Sequence, residues 1–199
     1  MWALLNSDNT INKILTRPKA LSIGDVNYPA NIFSMWTSAE LEAKGIYAVV
    51  TDNTNFKKGE YYINTDQTFA FASGTVTASY GTATAKAIAD TLYTAQDETD
   101  GLGTEGEVAA RGLKYNHKET INAQAAGMLQ QTDWMIIRAA DGGTAVPSSI
   151  TTKRAAVRTK ANAMQVQIDG AANVDALAAL YVYNDATPPV RPLGELPTV

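Results

Sequence analysis

The sequence predicts an α+β protein. A mainly antiparallel β domain with one short helix spans residues 1–81, a helical domain spans 82–184, and an extended proline-rich tail closes the chain over 185–199. Three observations predict this. The hydrophobic period changes between Tyr80 and Thr84 from about 2 residues, the strand period, to about 3.6, the helix period. Beyond that point alanine-rich stretches carry apolar residues at helical spacing. The final stretch ATPPVRPLGELPTV holds four of the seven prolines, which bars a regular helix and favours extended backbone.

The elements follow in order. WALL (2–5) and TINKIL (10–15) flank Asn6-Ser7-Asp8-Asn9, a hairpin loop of residues that tolerate left-handed backbone angles. LSIGDVNYP, NIFSMW, IYAVVT, EYYIN, TFAFA and TVTASY read as further strands. The alternation Thr68–Ala72 places Phe69 and Phe71 on one face, and Ser73-Gly74 is a tight turn. Thr37-Ser38-Ala39-Glu40 is a capping box that starts the one helix of this half, with Gly45 as its stop. In the second half, Thr82–Thr99, Glu107–Gln130 and Ser149–Ile168 read as long helices, and Asn173 caps a fourth, Val174–Tyr181. DGLGTEG (100–106) reads as a flexible linker.

The chain has 199 residues, 45% of them hydrophobic and 18% charged, which supports a packed core and excludes a disordered chain. The formal net charge of −4 gives no general attraction to nucleic acid or an anionic membrane. With no cysteine there is no disulfide or thiolate chemistry. No apolar run approaches the ~18 residues that span a bilayer. MWALLNSDNT lacks the basic region of a signal segment, so the expectation is a chain made and folded in a cytoplasm, with no membrane insertion.

A search for chemistry leaves no catalytic residue, metal site or cofactor. The single histidine, His117, stands in the polar run KYNHKET and reads as a solvated helix residue. Gly101, Gly103 and Gly106 match G-x-G-x-x-G, but a predicted helix precedes them where a dinucleotide site needs a strand. Between Gln96 and Glu107, Asp100, Gly101, Thr104 and Glu107 fall at the fifth, sixth, ninth and twelfth places of a calcium loop. Gln96 at the first place and Gly103 at the eighth depart from it, and the stretch reads as an acidic linker. Arg138, Lys153, Arg154, Arg158 and Lys160 form a late basic cluster. No aromatic residues interleave with them, so a solvated or partner-facing surface is favoured over nucleic acid. Trp36 and Trp134 read as core anchors and Trp2 as an interface aromatic.

QQTDWMIIRAADGGTAVP (130–147) is too short and too apolar for either a long helix or a solvated loop. Thr132 can cap a short helix, Asp133 suits its positive N-terminus, Trp134, Ile137 and Arg138 share a side, and Gly142-Gly143 allow a reversal. On this reading Trp134 covers the corner of a helical hairpin. Read onward, the pattern is Leu129, Asp133-Trp134, Arg138, Asp141-Gly142, Pro147 and Arg154-x-x-Val157-Arg158. It resembles the C-terminal module of phage tail-fibre assembly chaperones and related phage tail proteins. Ile150 and Lys153 stand where that family often has Trp and Tyr. The first 81 residues, through RPKALSIGDVNYPANIFSMW, look like leading segments of phage structural proteins.

The resemblance implies a non-enzymatic, tail-associated virion protein, assembled in the host bacterial cytoplasm and acting through protein–protein interfaces. Its partners would be other phage structural proteins (tail fibre, tail or adaptor subunits) and further copies of itself. A dissociating fibre-assembly chaperone and a head-decoration or connector protein are the alternatives. The expected interface residues are Trp134, Arg138, Arg154 and Arg158 on the helices and Pro188, Pro189, Arg191 and Pro192 in the tail.

Overall fold

The computed structural model describes residues 1–198, which divide into two compact units, Met1–Thr84 and the described residues from Ala85 onward. The first is built on a five-stranded sheet. Its elements are β1 (Trp2–Leu5), β2 (Ile11–Leu15), β3 (Leu21–Ile23), β4 (Val26–Tyr28), α1 (Ile32–Met35), α2 (Ser38–Glu42), β5 (Ile46–Asp52), β6 (Tyr62–Ile63), β7 (Gln67–Ala72) and β8 (Thr75–Tyr80). A two-residue strand, β9 (Thr84–Ala85), lies at the junction.

The strand order is β2-β1-β5-β8-β7. All pairs are antiparallel except β5 with β8, which is parallel because the chain returns to the sheet through β7. The edge strands β2 and β7 approach each other, so the sheet curls into an incomplete barrel. The predicted turns form as read. Asn9 takes φ 67, and Ser73 and Gly74 take φ 50 and 77, the paired positive angles of a tight hairpin turn.

Strand β1 is buried on both faces. Ala3 and Leu5 join Ile11, Ile14, Tyr47, Val49, Phe71 and Val76 inside the curl. Leu4 joins Ile32, Leu41 and Ile46, with Trp2, Phe33 and Trp36 packed around them, beneath α1, α2 and the β3–β4 hairpin. Each fully buried aliphatic side chain contributes about 1.5–3 kcal/mol, so this double-sided core suffices to hold the short strands. Trp36 is a core anchor as expected, meeting Tyr28 edge-on at 5.5 Å. Trp2 is not a free interface ring, since it packs on Phe33 at 4.8 Å. NIFSMW is a helical turn rather than a strand, which brings Ile32 and Trp36, four residues apart, onto one side. The capping box holds α2: Glu40 accepts from the Thr37 N–H and hydroxyl, bonds that keep its carboxyl below the usual carboxylate range. Gly45 ends that turn at φ 74.

The second unit comprises β10 (Thr91–Leu92), α3 (Ala95–Thr99), β11 (Val108–Ala110), α4 (Leu113–Gln130), α5 (Asp133–Ala140), α6 (Ser148–Gly170) and α7 (Val174–Ala179). Two expectations are corrected. Thr82–Thr99 is mostly irregular, with the short strands β9 and β10 and helix only at α3, and α4 begins at Leu113 rather than Glu107. The alanine stripe offers too little apolar area to make a helix there worth burying, and the carbonyls of Ala87 and Ile88 instead accept from the Leu113 and Lys114 N–H groups at the open end of α4. Asp90 accepts from Gly112 N–H and pairs with Arg111 at 2.6 Å, and these two bonds hold its carboxyl below the ordinary range. The stretch 100–106 is no linker between helices. It lies within an excursion closed by β10 and β11, where the Gly106 N–H donates to Tyr93 and the Tyr93 N–H to Glu107.

Helices α4 and α6 form the centre of this unit. Along α6 the buried positions are Arg154, Val157, Ala161, Met164 and Ile168, spaced alternately three and four apart. Along α4 they are Leu113, His117, Ile121 and Ala125. His117 therefore lies on the buried stripe, 9% exposed, with Nδ1 at 2.8 Å from the Tyr181 hydroxyl, and not on a solvated face. Asn173 caps α7 by accepting from Ala176 N–H. Among the described residues no helix is long and apolar enough to cross a membrane.

Candidate functional site

The stretch that carries the phage-tail resemblance folds as a corner between α4 and α6, and its organiser is Arg154. That side chain is 6% exposed. Its Nη1 donates to the Leu129 carbonyl and to the Thr132 hydroxyl, both at 2.6 Å, and its Nη2 donates to Asp133 at 2.7 Å. One planar fork thus ties the end of α4 to the start of α5. The expected basic face of Arg154 and Arg158 is not formed: Arg154 points inward on the core stripe, while Arg158, four residues on, is exposed. Thr132 precedes α5 as read, yet its hydroxyl does not cap the helix. It donates to the Leu129 carbonyl and receives Arg154 instead.

Trp134 is not the pin of this corner. It is 54% exposed, and Arg138 lies over its ring at 4.9 Å. No residue of α5 is fully buried, and its more sheltered positions include Asp133, Met135, Arg138 and Ala139. Ile136 and Ile137 are 42% and 62% exposed. Trp134, Ile137, Arg138 and Asp141, with Gly143, line an open concavity of about 430 Å³. The helix ends as read at the glycines: Gly142 takes φ 81, its N–H donates to Ala139, and the Gly143 N–H donates to Arg138. A Cβ on Gly143 would stand 2.8 Å from the Arg138 carbonyl oxygen, so the close return requires glycine.

The tail is not an extended arm. The Asn184 N–H donates to the Val190 carbonyl and the Asn184 side chain accepts from the Ala186 and Val190 N–H groups, closing a loop. Pro188 and Pro189 are exposed on that loop, and Pro192 is exposed beyond it. Leu193 is completely buried, its N–H donates to Leu180, and its carbonyl accepts from Lys160 Nζ at 2.9 Å. Arg191 lies over the rings of Tyr181 and Tyr183 and pairs with Glu195 at 2.8 Å. Glu195 also accepts from the Tyr183 hydroxyl, a bond that raises the Tyr183 pKa and keeps its proton in place. A second open groove of about 450 Å³ lies along Val182, Tyr183, Val190 and Pro192.

Of the eight expected interface residues, Trp134 and Arg138 share one face, Arg191 is held by its own chain, and Arg154 is interior. Sequence reading missed Leu193, His117–Tyr181 and the Arg154–Asp133 pair. Only Arg154 carried a signal, its place in the alternating three-and-four spacing of the α6 stripe. The carboxylates of the calcium-loop stretch are separately engaged: Asp97 with Thr94, Glu98 with the Glu105 N–H, and Asp100 with Gln96. No family model, curated protein or solved structure matches the chain.

Proposed function

We propose that this chain is a non-enzymatic structural protein of a bacteriophage particle, associated with the tail and working through protein–protein interfaces. The observation that carries this reading is the outward face of α5. A residue pattern like that of phage tail proteins supplies a corner whose backbone is fixed from inside by Arg154, while Trp134 and Ile137 are left 54% and 62% exposed. Trp and Arg are both among the residue types enriched at the energetic centres of interfaces. The tail, folded onto its own unit, adds a second apolar surface at Val182, Tyr183 and Val190, each more than half exposed. Partners on this reading are tail-fibre, tail or adaptor subunits and further copies of the chain, joined in the host cytoplasm and retained in the virion.

Quantitative mass spectrometry of purified particles, scaled to the major capsid protein, tests it. A fixed copy number matching tail symmetry is the expected result. Presence in infected cells with absence from particles would make the chain a dissociating assembly chaperone. A copy number that follows the capsid would place it on the head.

A further inference from the structure

The face Trp134, Ile137, Arg138, Asp141 follows the spacing i, i+3, i+4, i+7 and therefore forms a single side of α5. Two of its members are charged and stand about one turn apart, yet they do not pair. Among the described residues neither the Arg138 guanidinium nor the Asp141 carboxylate has a hydrogen-bond or ion-pair partner, and Arg138 Nε is buried without an acceptor. That Nε is sealed from solvent, as is the unpaired Nε of Arg154, but the two Nη groups of Arg138 are not buried and make no hydrogen bond, so an acceptor from outside can reach them. The face thus offers an apolar ridge, an unused donor and an unused acceptor together.

We infer that this face is a contact between two copies of the chain related by a two-fold axis. In such an interface one surface must complement itself, so whatever residue i meets on the partner, the partner's residue i meets in return. A face bearing one unpaired cation and one unpaired anion meets that condition, whereas a face for a purely acidic or purely basic partner does not. Two α5 helices laid antiparallel bring Arg138 of each copy to Asp141 of the other, forming the pair twice. Trp134 and Ile137 then lie toward the other copy's Gly142-Gly143 turn, where no side chain blocks them and the space outside Gly142 is open.

Size sets the strength. Trp134 and Ile137, on one side of an eight-residue helix, present well under the ~800 Å² per partner of a standard interface. The contact is weak between free molecules. It becomes occupied where copies are held side by side, since tethering raises effective concentration toward the millimolar range. In this it rests on the structural role proposed above, which supplies the crowded assembly.

Sedimentation equilibrium of the full chain, from low micromolar to near millimolar, tests the inference. A reversible monomer–dimer equilibrium is expected. Trp134→Ala, Arg138→Asp and Asp141→Arg should each weaken it about tenfold or more, and the charge-swapped double variant Arg138→Asp/Asp141→Arg should recover most of the loss. Lys19→Asp, at an exposed position of the first unit, should leave it unchanged. Circular dichroism confirms that each variant keeps its helices. A monomer at every concentration overturns the inference, as does a dimer indifferent to these three changes or a swap that restores nothing. A dimer together with absence from particles would remove the virion role and leave the contact standing. A fixed copy number in particles with a monomer in solution would do the reverse.

Discussion

Arg154 places a guanidinium on the apolar stripe of α6, in a series otherwise held by Val157, Ala161, Met164 and Ile168. Its charge is tolerated there because Leu129, Thr132 and Asp133 supply three acceptors at 2.6, 2.6 and 2.7 Å. The partners contribute unequally. Asp133 is 49% exposed, so water can replace Arg154 at its carboxylate. The Thr132 hydroxyl is sheltered and loses the donor it accepts from, the Leu129 carbonyl keeps the Thr132 N–H and hydroxyl but loses its charged donor, and the buried stripe loses a long side chain. Arg154→Ala should therefore destabilise the helical unit by about 2–4 kcal/mol, and Asp133→Asn by less than about 1 kcal/mol. Urea denaturation followed by circular dichroism measures both, and equal losses would show that the ion pair, not the backbone and hydroxyl acceptors, holds the corner. Arg154 was misread in the sequence because arginine is rarely buried and its acceptors stand 21 to 25 residues away. Trp134 was misread for the opposite reason. Large aromatics are buried on average, but here Met135 and Ala139 are more sheltered and the indole is left outside.

Among elements, those specified by short-range chemistry were legible. The Asn6–Asn9 hairpin, the Ser73-Gly74 turn, the Thr37–Glu40 capping box and the Asn173 cap each depend on residues a few positions apart, and each formed. The second capping box, Thr94 with Asp97, was hidden inside a stretch read as one long helix. What failed was the alanine-rich span before α4, where spacing resembles a helix but the carbonyls of Ala87 and Ile88 are needed at the α4 N-terminus. Two glycines of this region separate the local from the non-local requirement. A Cβ on Gly112 would fall 2.3 Å from the Ala89 backbone, which cannot move without breaking the Asp90 bond to the Gly112 N–H. Gly127 lies inside α4 with nothing within 4 Å of its Cβ position. Gly112→Ala should destabilise by more than about 2 kcal/mol through strain, whereas Gly127→Ala should stabilise by about 0.5–1 kcal/mol through helix propensity. Denaturation midpoints of the two variants should move in opposite directions, and a shared direction would refute the close packing of 89 against 112.

For the whole molecule, the chain divides into two units at Thr84/Ala85, close to where the hydrophobic period changes, but short strands continue to Ala110 and the first long helix begins only at Leu113. The tail was not legible. Four prolines announce that no helix follows, but they say nothing about where the chain goes, and an apolar residue among them is as compatible with solvent as with a core. The structure gives that role to Leu193, fully buried and fixed through its backbone by Leu180 and Lys160. A tail that served only as an interface could be removed from Asp185 onward with the monomer left folded. The packing of Leu193 reverses that outcome. Leu193→Ala alone should destabilise the helical unit by about 2–5 kcal/mol, and truncation before Asp185 should do at least as much, since it also removes Arg191 from Tyr181 and Tyr183 and the Lys160 bond. The β unit carries its own double-sided core, so its strands should keep their hydrogen-exchange protection in the same variants. Exchange measured residue by residue distinguishes the cases. Loss of protection confined to α4, α6 and α7 is the expected pattern, and full protection throughout the truncated chain would mean that the tail is an external arm after all.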